Sequence, residues 1–185
     1  MKLMWKIIRE SIKVLIIASI LSSVGGFALK GVEEKLLLLL PFIIVLPSLN
    51  GLVGDFGIII TSKFSTFLYE KHMKGELKKS LFVKHMFKEI FPLSLLSALY
   101  LIFLVLIISS FKNFVLDLFF ILKFVVVVLS SVIILFLIIF FVAIIGSYYI
   151  HKKNEDPDDV LIPITTSIAD LGTMIVFSGL VYLLF

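Results

Sequence analysis

The sequence predicts an all-α polytopic membrane protein with five transmembrane helices, its N-terminus cytosolic and its C-terminus external. Three observations carry this. Of the 185 residues, 61% are hydrophobic and the mean hydropathy is +1.19, well above a soluble domain of this size. Uncharged runs of about 20 residues recur, each long enough to cross a hydrocarbon core. Lysine and arginine gather between alternate runs, which is the charge asymmetry that orients spans. The net charge of +4 therefore flanks membrane segments and does not form a nucleic-acid face. There is no cysteine, which excludes disulfides and thiolate sites.

Taken in order, the basic segment Met1 to Lys13 leads into an apolar run from Val14 to Leu29. Together they imitate a signal peptide, but the run is long and no clear cleavage site follows, so it is read as helix 1, about 7–29. Ser19, Ser22, Ser23, Gly25 and Gly26 give it small positions for close packing. Helix 2 is expected over about 36–69. At 1.5 Å per residue that is near 50 Å, too long for a core of about 30 Å, so it projects, tilts or breaks near Pro41, Pro47 and its glycines. Residues 70–89 read as a basic, amphipathic cytosolic connector with an apolar stripe at Leu77, Leu81, Phe82 and Met86. Helix 3 is expected over about 92–111, with Pro92 in its first turn. An interfacial piece follows around 114–122, then helix 4 over about 124–150, with Lys123 snorkelling to the outer interface. The charged turn His151 to Asp159 precedes helix 5, about 160–185.

Helix 2 carries the polar stretch Leu46-Pro-Ser-Leu-Asn-Gly-Leu-Val-Gly-Asp-Phe-Gly57 at membrane depth. Wound as a helix, it puts Ser48, Gly51, Asp55, Ser62 and Thr66 on one side, and Asn50, Gly54, Gly57 and Thr61 nearly opposite. On helix 5, Pro163, Thr166, Asp170, Thr173 and Phe177 share a stripe. A carboxylate at such depth costs about 2.5–3.5 kcal/mol on insertion scales and needs a partner, water or an ion. Counted from the cytosolic side, Asp170 lies about 15 Å deep and Asp55 about 12 Å, which suggests one shared ion site. Other roles are open: Asp55 as the cap of a helical segment starting after Gly54, and Asp170 as a protonated acid bonded to Thr166 or Thr173. His72, His85 and His151 sit in polar loops without metal-ligand spacing. The acidic turn Glu155 to Asp159 reads as a solvated helix start that could also attract cations.

These residues resemble a known family. Pro47-Ser-Leu-Asn-Gly51-Leu-Val-Gly54-Asp55 followed by Thr61-Ser-Lys-Phe-Ser-Thr66 is similar to the second-helix signature of MgtE magnesium channels and their solute-carrier relatives in animals, roughly P-x-L-x-G-x-x-G-N and then A-S-R-x-S-T. Asp156-Pro-Asp-Asp-Val160, Pro163 and Thr166-Ser-Ile-Ala-Asp170 are similar to its second signature, N-P-D-N-x-x-x-P-x-x-x-S-x-x-D. The resemblance covers essentially the whole chain, 1–185, as one five-helix MgtE-like domain. It implies a pore on a two-fold axis lined by helices 2 and 5. Asp170 would be the main magnesium-binding acid, joined by the side chain of Asp55 and backbone oxygens at Gly51 and Thr166; Asn50, Gly54 and Thr173 are pore-lining candidates. Asp55 stands where the family usually has Asn.

The resemblance implies a homodimeric, multi-pass cell-membrane channel or transporter for a divalent cation, with Mg²⁺ as the bound and transported ion and the lipid bilayer as its other partner. The 185 residues hold one copy of the domain and no large cytosolic gating domain, so the expected pair comes from two chains. Two other readings are a sodium- or proton-coupled cation exchanger using Asp55 and Asp170, and a non-transporting membrane scaffold. An enzyme is not expected, because no nucleophile–base set or metalloprotease motif is present.

Overall fold

A computed structural model describes residues 2–74, 79–153 and 155–185. Among them the chain forms α1 (Lys2–Lys30), α2 (Glu33–Leu38), α3 (Leu40–Lys74), α4 (Lys79–Phe111), α5 (Leu118–Lys152) and α6 (Pro157–Leu184). Residues 75–78 of the anticipated connector, Leu77 of its stripe included, lie outside the described residues, as does Asn154 of the charged turn. Four helices, α3 to α6, are long and apolar enough to cross a membrane, and α1 adds a shorter apolar length, Val14–Lys30.

Packing is organised by α6, which lies against α1, α3 and α5; α3 also packs on α4 and α5, and α4 on α5. The core stripe of α3 runs Phe42, Val45, Leu49, Val53, Phe56, Ile60, Phe64, Phe67, all buried. Its three- and four-residue steps hold one face of a long helix against neighbours. Rings concentrate at the two ends of the bundle. Phe42 meets Phe120, Phe124, Phe177 and Phe185 at centroid distances of 4.9 to 6.0 Å. At the other end Phe67 stacks on Phe82 at 4.0 Å, and Phe87 packs edge-on against Phe140 at 5.1 Å. Between them α3 and α6 meet through small residues.

The helix limits differ from the expectation in ways that hydrogen bonding explains. Helix 2 is divided at Leu39, and Pro41 falls in the first turn of α3, where a missing N–H is harmless. Pro47 and the glycines lie inside one continuous α3 of 35 residues, about 52 Å long. Helix 3 begins at Lys79, so Pro92 is interior to α4 and not in its first turn. The carbonyl that Pro92 frees belongs to exposed Lys88, in the charged segment where water can serve it. Helix 4 begins at Leu118: Asp117 accepts from the Phe119 N–H at 3.3 Å and caps α5, so 118–122 is helix and not a separate interfacial piece. Helix 5 begins at Pro157, with Asp156 accepting from the Asp158 N–H at 3.0 Å. Lys123 does more than snorkel. Its Nζ donates to the Leu184 carbonyl at 2.6 Å and lies over the rings of Phe119 and Phe185, closing the last turn of α6.

Candidate cation site

Asp170 sits mid-way along α6 and is half-buried. Two neutral donors from two other helices hold its carboxylate. Asn50 Nδ2 of α3 donates to Oδ1 at 2.7 Å, and Ser22 Oγ of α1 donates to Oδ2 at 2.7 Å. An ionised carboxylate only accepts, so the Asn50 amide turns its nitrogen inward. Its Oδ1 is left buried without a partner among the described residues. Donors to the charged form are what a carboxylate requires where water is scarce.

Glycines set the approach of the three helices. A Cβ on Gly25 of α1 would stand 2.9 Å from Met174 Sδ and 3.0 Å from the Leu171 Cα, so only glycine lets α1 come this close to α6. That approach is what brings Ser22, one turn earlier, to Asp170. A Cβ on Gly57 of α3 would meet Thr165 Cβ at 3.2 Å. Gly54 lies opposite the Thr166 methyl at 3.7 Å. These pairs, with Asn50 against Asp170, show α3 and α6 running antiparallel, their paired numbers summing to about 220.

That register places each expected residue. Gly51 is level with Asp170, and its surroundings are open: a Cβ there would meet nothing within 4 Å. Asp55 is level with Thr165 and Thr166, about one helical turn from Asp170, so the two acids are not at one depth. Asp55 is exposed, with no hydrogen-bond partner among the described residues, on the open side of α3 that also carries Ser48, Gly51 and Thr66. The opposite side, with Asn50, Gly54, Gly57 and Thr61, faces into the bundle. Because α3 is continuous through residue 55, Asp55 caps no new helix. Thr166 donates to the Ile162 carbonyl at 2.9 Å, and buried Thr173 has no hydrogen-bond partner among the described residues, so neither is the hydroxyl bound to Asp170. That hydroxyl is Ser22, which the sequence marked only as a small packing residue. A helix partner 148 positions away leaves no local pattern to find.

Elsewhere, His85 pairs with Glu89 one turn on at 3.0 Å, and His151 stands edge-on to Tyr69 at 5.1 Å. Among the described residues no group of three or more His, Cys, Asp or Glu converges. One chain thus brings a single carboxylate to this level, held by the Asn50 amide nitrogen and the Ser22 hydroxyl.

Comparison with known proteins identifies a family. No curated protein and no solved structure matches the chain. The profile of one family, MgtE, described as divalent cation transporter, matches residues 46–180. The match begins at the polar stretch of α3 and ends in α6, so it takes in Asn50, Gly51, Asp55, Thr166 and Asp170. It describes a transporter family and not an enzyme class. With its long apolar helices the chain is a multi-pass membrane protein, and it belongs to the MgtE family of divalent cation transporters.

Proposed function

We propose that two copies of this chain form a magnesium-conducting path on a two-fold axis lined by α3 and α6. Asp170 is its principal ion-binding acid, with the Asp55 side chain and backbone oxygens at Gly51 and Thr166 along the same route, while Asn50, Gly54 and Thr173, which face into the bundle, back it from within. The observation that carries this reading is the contrast on α3: the Asn50 side holds Asp170, while the Gly51–Asp55 side is open. A bare carboxylate turned to lipid at this depth would cost about 2.5–3.5 kcal/mol or more, so a second copy and water are its natural cover. A two-fold axis is also the commonest way to pair identical chains. Mg²⁺ fits the donor set. It sheds water reluctantly and is held by one or two carboxylates, which one Asp170 from each chain supplies. Five crossings complete this reading, α1 included, over a single domain of residues 1–185. The excess of Lys and Arg at the start of the chain and in 70–89 puts the N-terminus in the cytosol and the C-terminus outside.

The test is Mg²⁺ flux into proteoliposomes containing the purified chain, with Asp170→Ala alongside. Wild-type flux together with a silent, folded Asp170→Ala is expected; normal flux in that variant would show the site is misplaced. Because the chain has no cysteine, Gly51→Cys offers one unambiguous cross-link. It is expected to trap a dimer in native membranes, and a conducting protein that never cross-links there would refute the axis. Cysteines at Lys79, the first residue of α4, and Lys112, just past its last, are expected to label from opposite sides. Labelling from one side would break the topology.

A further inference from the structure

The family match begins at residue 46, so it is silent about α1. Yet α1 supplies one of the two hydrogen bonds on Asp170. We propose that Ser22 is a positioning and specificity-determining residue for the transported ion, acting with Asn50 as a two-sided clamp on the Asp170 carboxylate. The proposal rests on the assignment of Asp170 as the ion-binding acid.

The clamp follows from the acceptor geometry. A carboxylate has about four lone-pair positions on two oxygens. Asn50 fills one on Oδ1 and Ser22 one on Oδ2, from two helices that both pack on α6. With a donor on each oxygen, the plane of the group is fixed and neither oxygen is wholly free. An ion that takes one oxygen, directly or through its own water, leaves both hydrogen bonds in place. An ion that chelates both oxygens crowds the two donors. Mg²⁺, with bonds of about 2.0–2.1 Å and retained waters, is of the first kind; Ca²⁺, at about 2.3–2.6 Å with frequent bidentate carboxylates, is of the second. Ser22 thus favours the small hydrated ion without touching it. Its own placement depends on Gly25, whose missing Cβ lets α1 reach α6.

The experiment measures Mg²⁺ and Ca²⁺ flux against concentration in proteoliposomes of wild type, Ser22→Ala, Ser22→Thr and Asp170→Ala, with a thermal melt of each. Loss of a hydrogen-bond partner behind an ion ligand typically weakens binding ~10–100-fold. Ser22→Ala is expected to raise the half-saturating Mg²⁺ concentration by ~10-fold and to shift the Mg²⁺-over-Ca²⁺ preference toward Ca²⁺, the size of the first effect following the same precedent. Ser22→Thr, which keeps the hydroxyl, is expected to restore both. Unchanged half-saturation and preference in Ser22→Ala would overturn the clamp. So would weakened flux with an unchanged preference, a lowered melting temperature and no rescue by Thr, which describes packing alone. Should Ser22→Ala fail to insert, Ser22→Cys, a much weaker donor of similar size, gives the same readout. The Asp170→Ala arm separates the two ideas. Normal flux there removes the site assignment itself, whereas a silent Asp170→Ala beside a normal Ser22→Ala removes only the clamp.

Discussion

Asp55 and Asp170 lie in the apolar middle portions of α3 and α6, away from the acids at the helix ends, and the bundle treats them in opposite ways. Asp170 is gripped by an amide and a hydroxyl from two neighbouring helices. Asp55, about a turn away in depth, projects from the open side of α3 with no donor among the described residues. The difference is one of completeness. A single chain finishes the surroundings of Asp170 and leaves those of Asp55 unfinished. Burial alone does not explain why an acid is kept in a membrane helix; what each acid lacks indicates what must be brought to it. In the proposed function, an ion is what comes to Asp170 and a second copy is what covers Asp55.

This contrast breaks most sharply under matched, isosteric substitutions. Asp170→Asn keeps shape but removes the charge that both donors serve, and its flux is expected to fall by more than ~100-fold, beyond the usual range for supporting residues. Asp55→Asn restores the family's usual residue, so the same chemical change is expected to leave divalent transport within ~10-fold, a supporting-residue effect, with altered selectivity. Proteoliposome flux over several ions compares the two directly. Equal losses would erase the distinction, and complete loss in Asp55→Asn would point to Asp55 as a coupled proton or sodium carrier.

The glycines sharpen it further. Gly25→Ala forces a methyl to about contact with the Leu171 backbone, so it is expected to destabilise the folded chain by about 1–3 kcal/mol, read as a lower melting temperature. Gly51→Ala meets nothing in its own chain. Its melting temperature as a monomer in detergent is expected to stay within a few degrees, its stability moving by no more than about 0.5 kcal/mol, while dimer cross-linking at neighbouring positions weakens. A dimer indifferent to Gly51→Ala would mean that the open side of α3 faces something other than a second copy.

Much of this was legible in the sequence because helical periodicity is a strong signal. The two polar sides of α3 separate in the structure as the 100° step per residue says they should, and Asn50, singled out from the sequence, is the α3 residue that donates to Asp170. The depth estimate for Asp55 and Asp170 differs from the observed register by about a turn because it counted each helix from its own presumed membrane edge, whereas the contacts between α3 and α6 fix the offset directly. Pro92 misled for a different reason: a proline marks a helix start only where its freed carbonyl has no other supply of donors, and at Lys88 water is available. Ser22 was invisible because a serine among small residues has the same pattern whether it packs or donates. Only the approach at Gly25 distinguishes the two.

The ends of α6 bear on the field at its middle. A helix carries a partial positive charge at its N-terminus and a partial negative one at its C-terminus, equivalent to about half an elementary charge each. Here Asp156, Asp158 and Asp159 stand at the first, and the Lys123 ammonium binds a carbonyl at the second. Both poles are thus compensated by full charges of opposite sign. Asp170 lies well over a turn from either pole, where their influence has already faded. In the proposed path, a cation reaching Asp170 is therefore attracted by the carboxylate itself, on a helix whose macrodipole has been silenced at both ends.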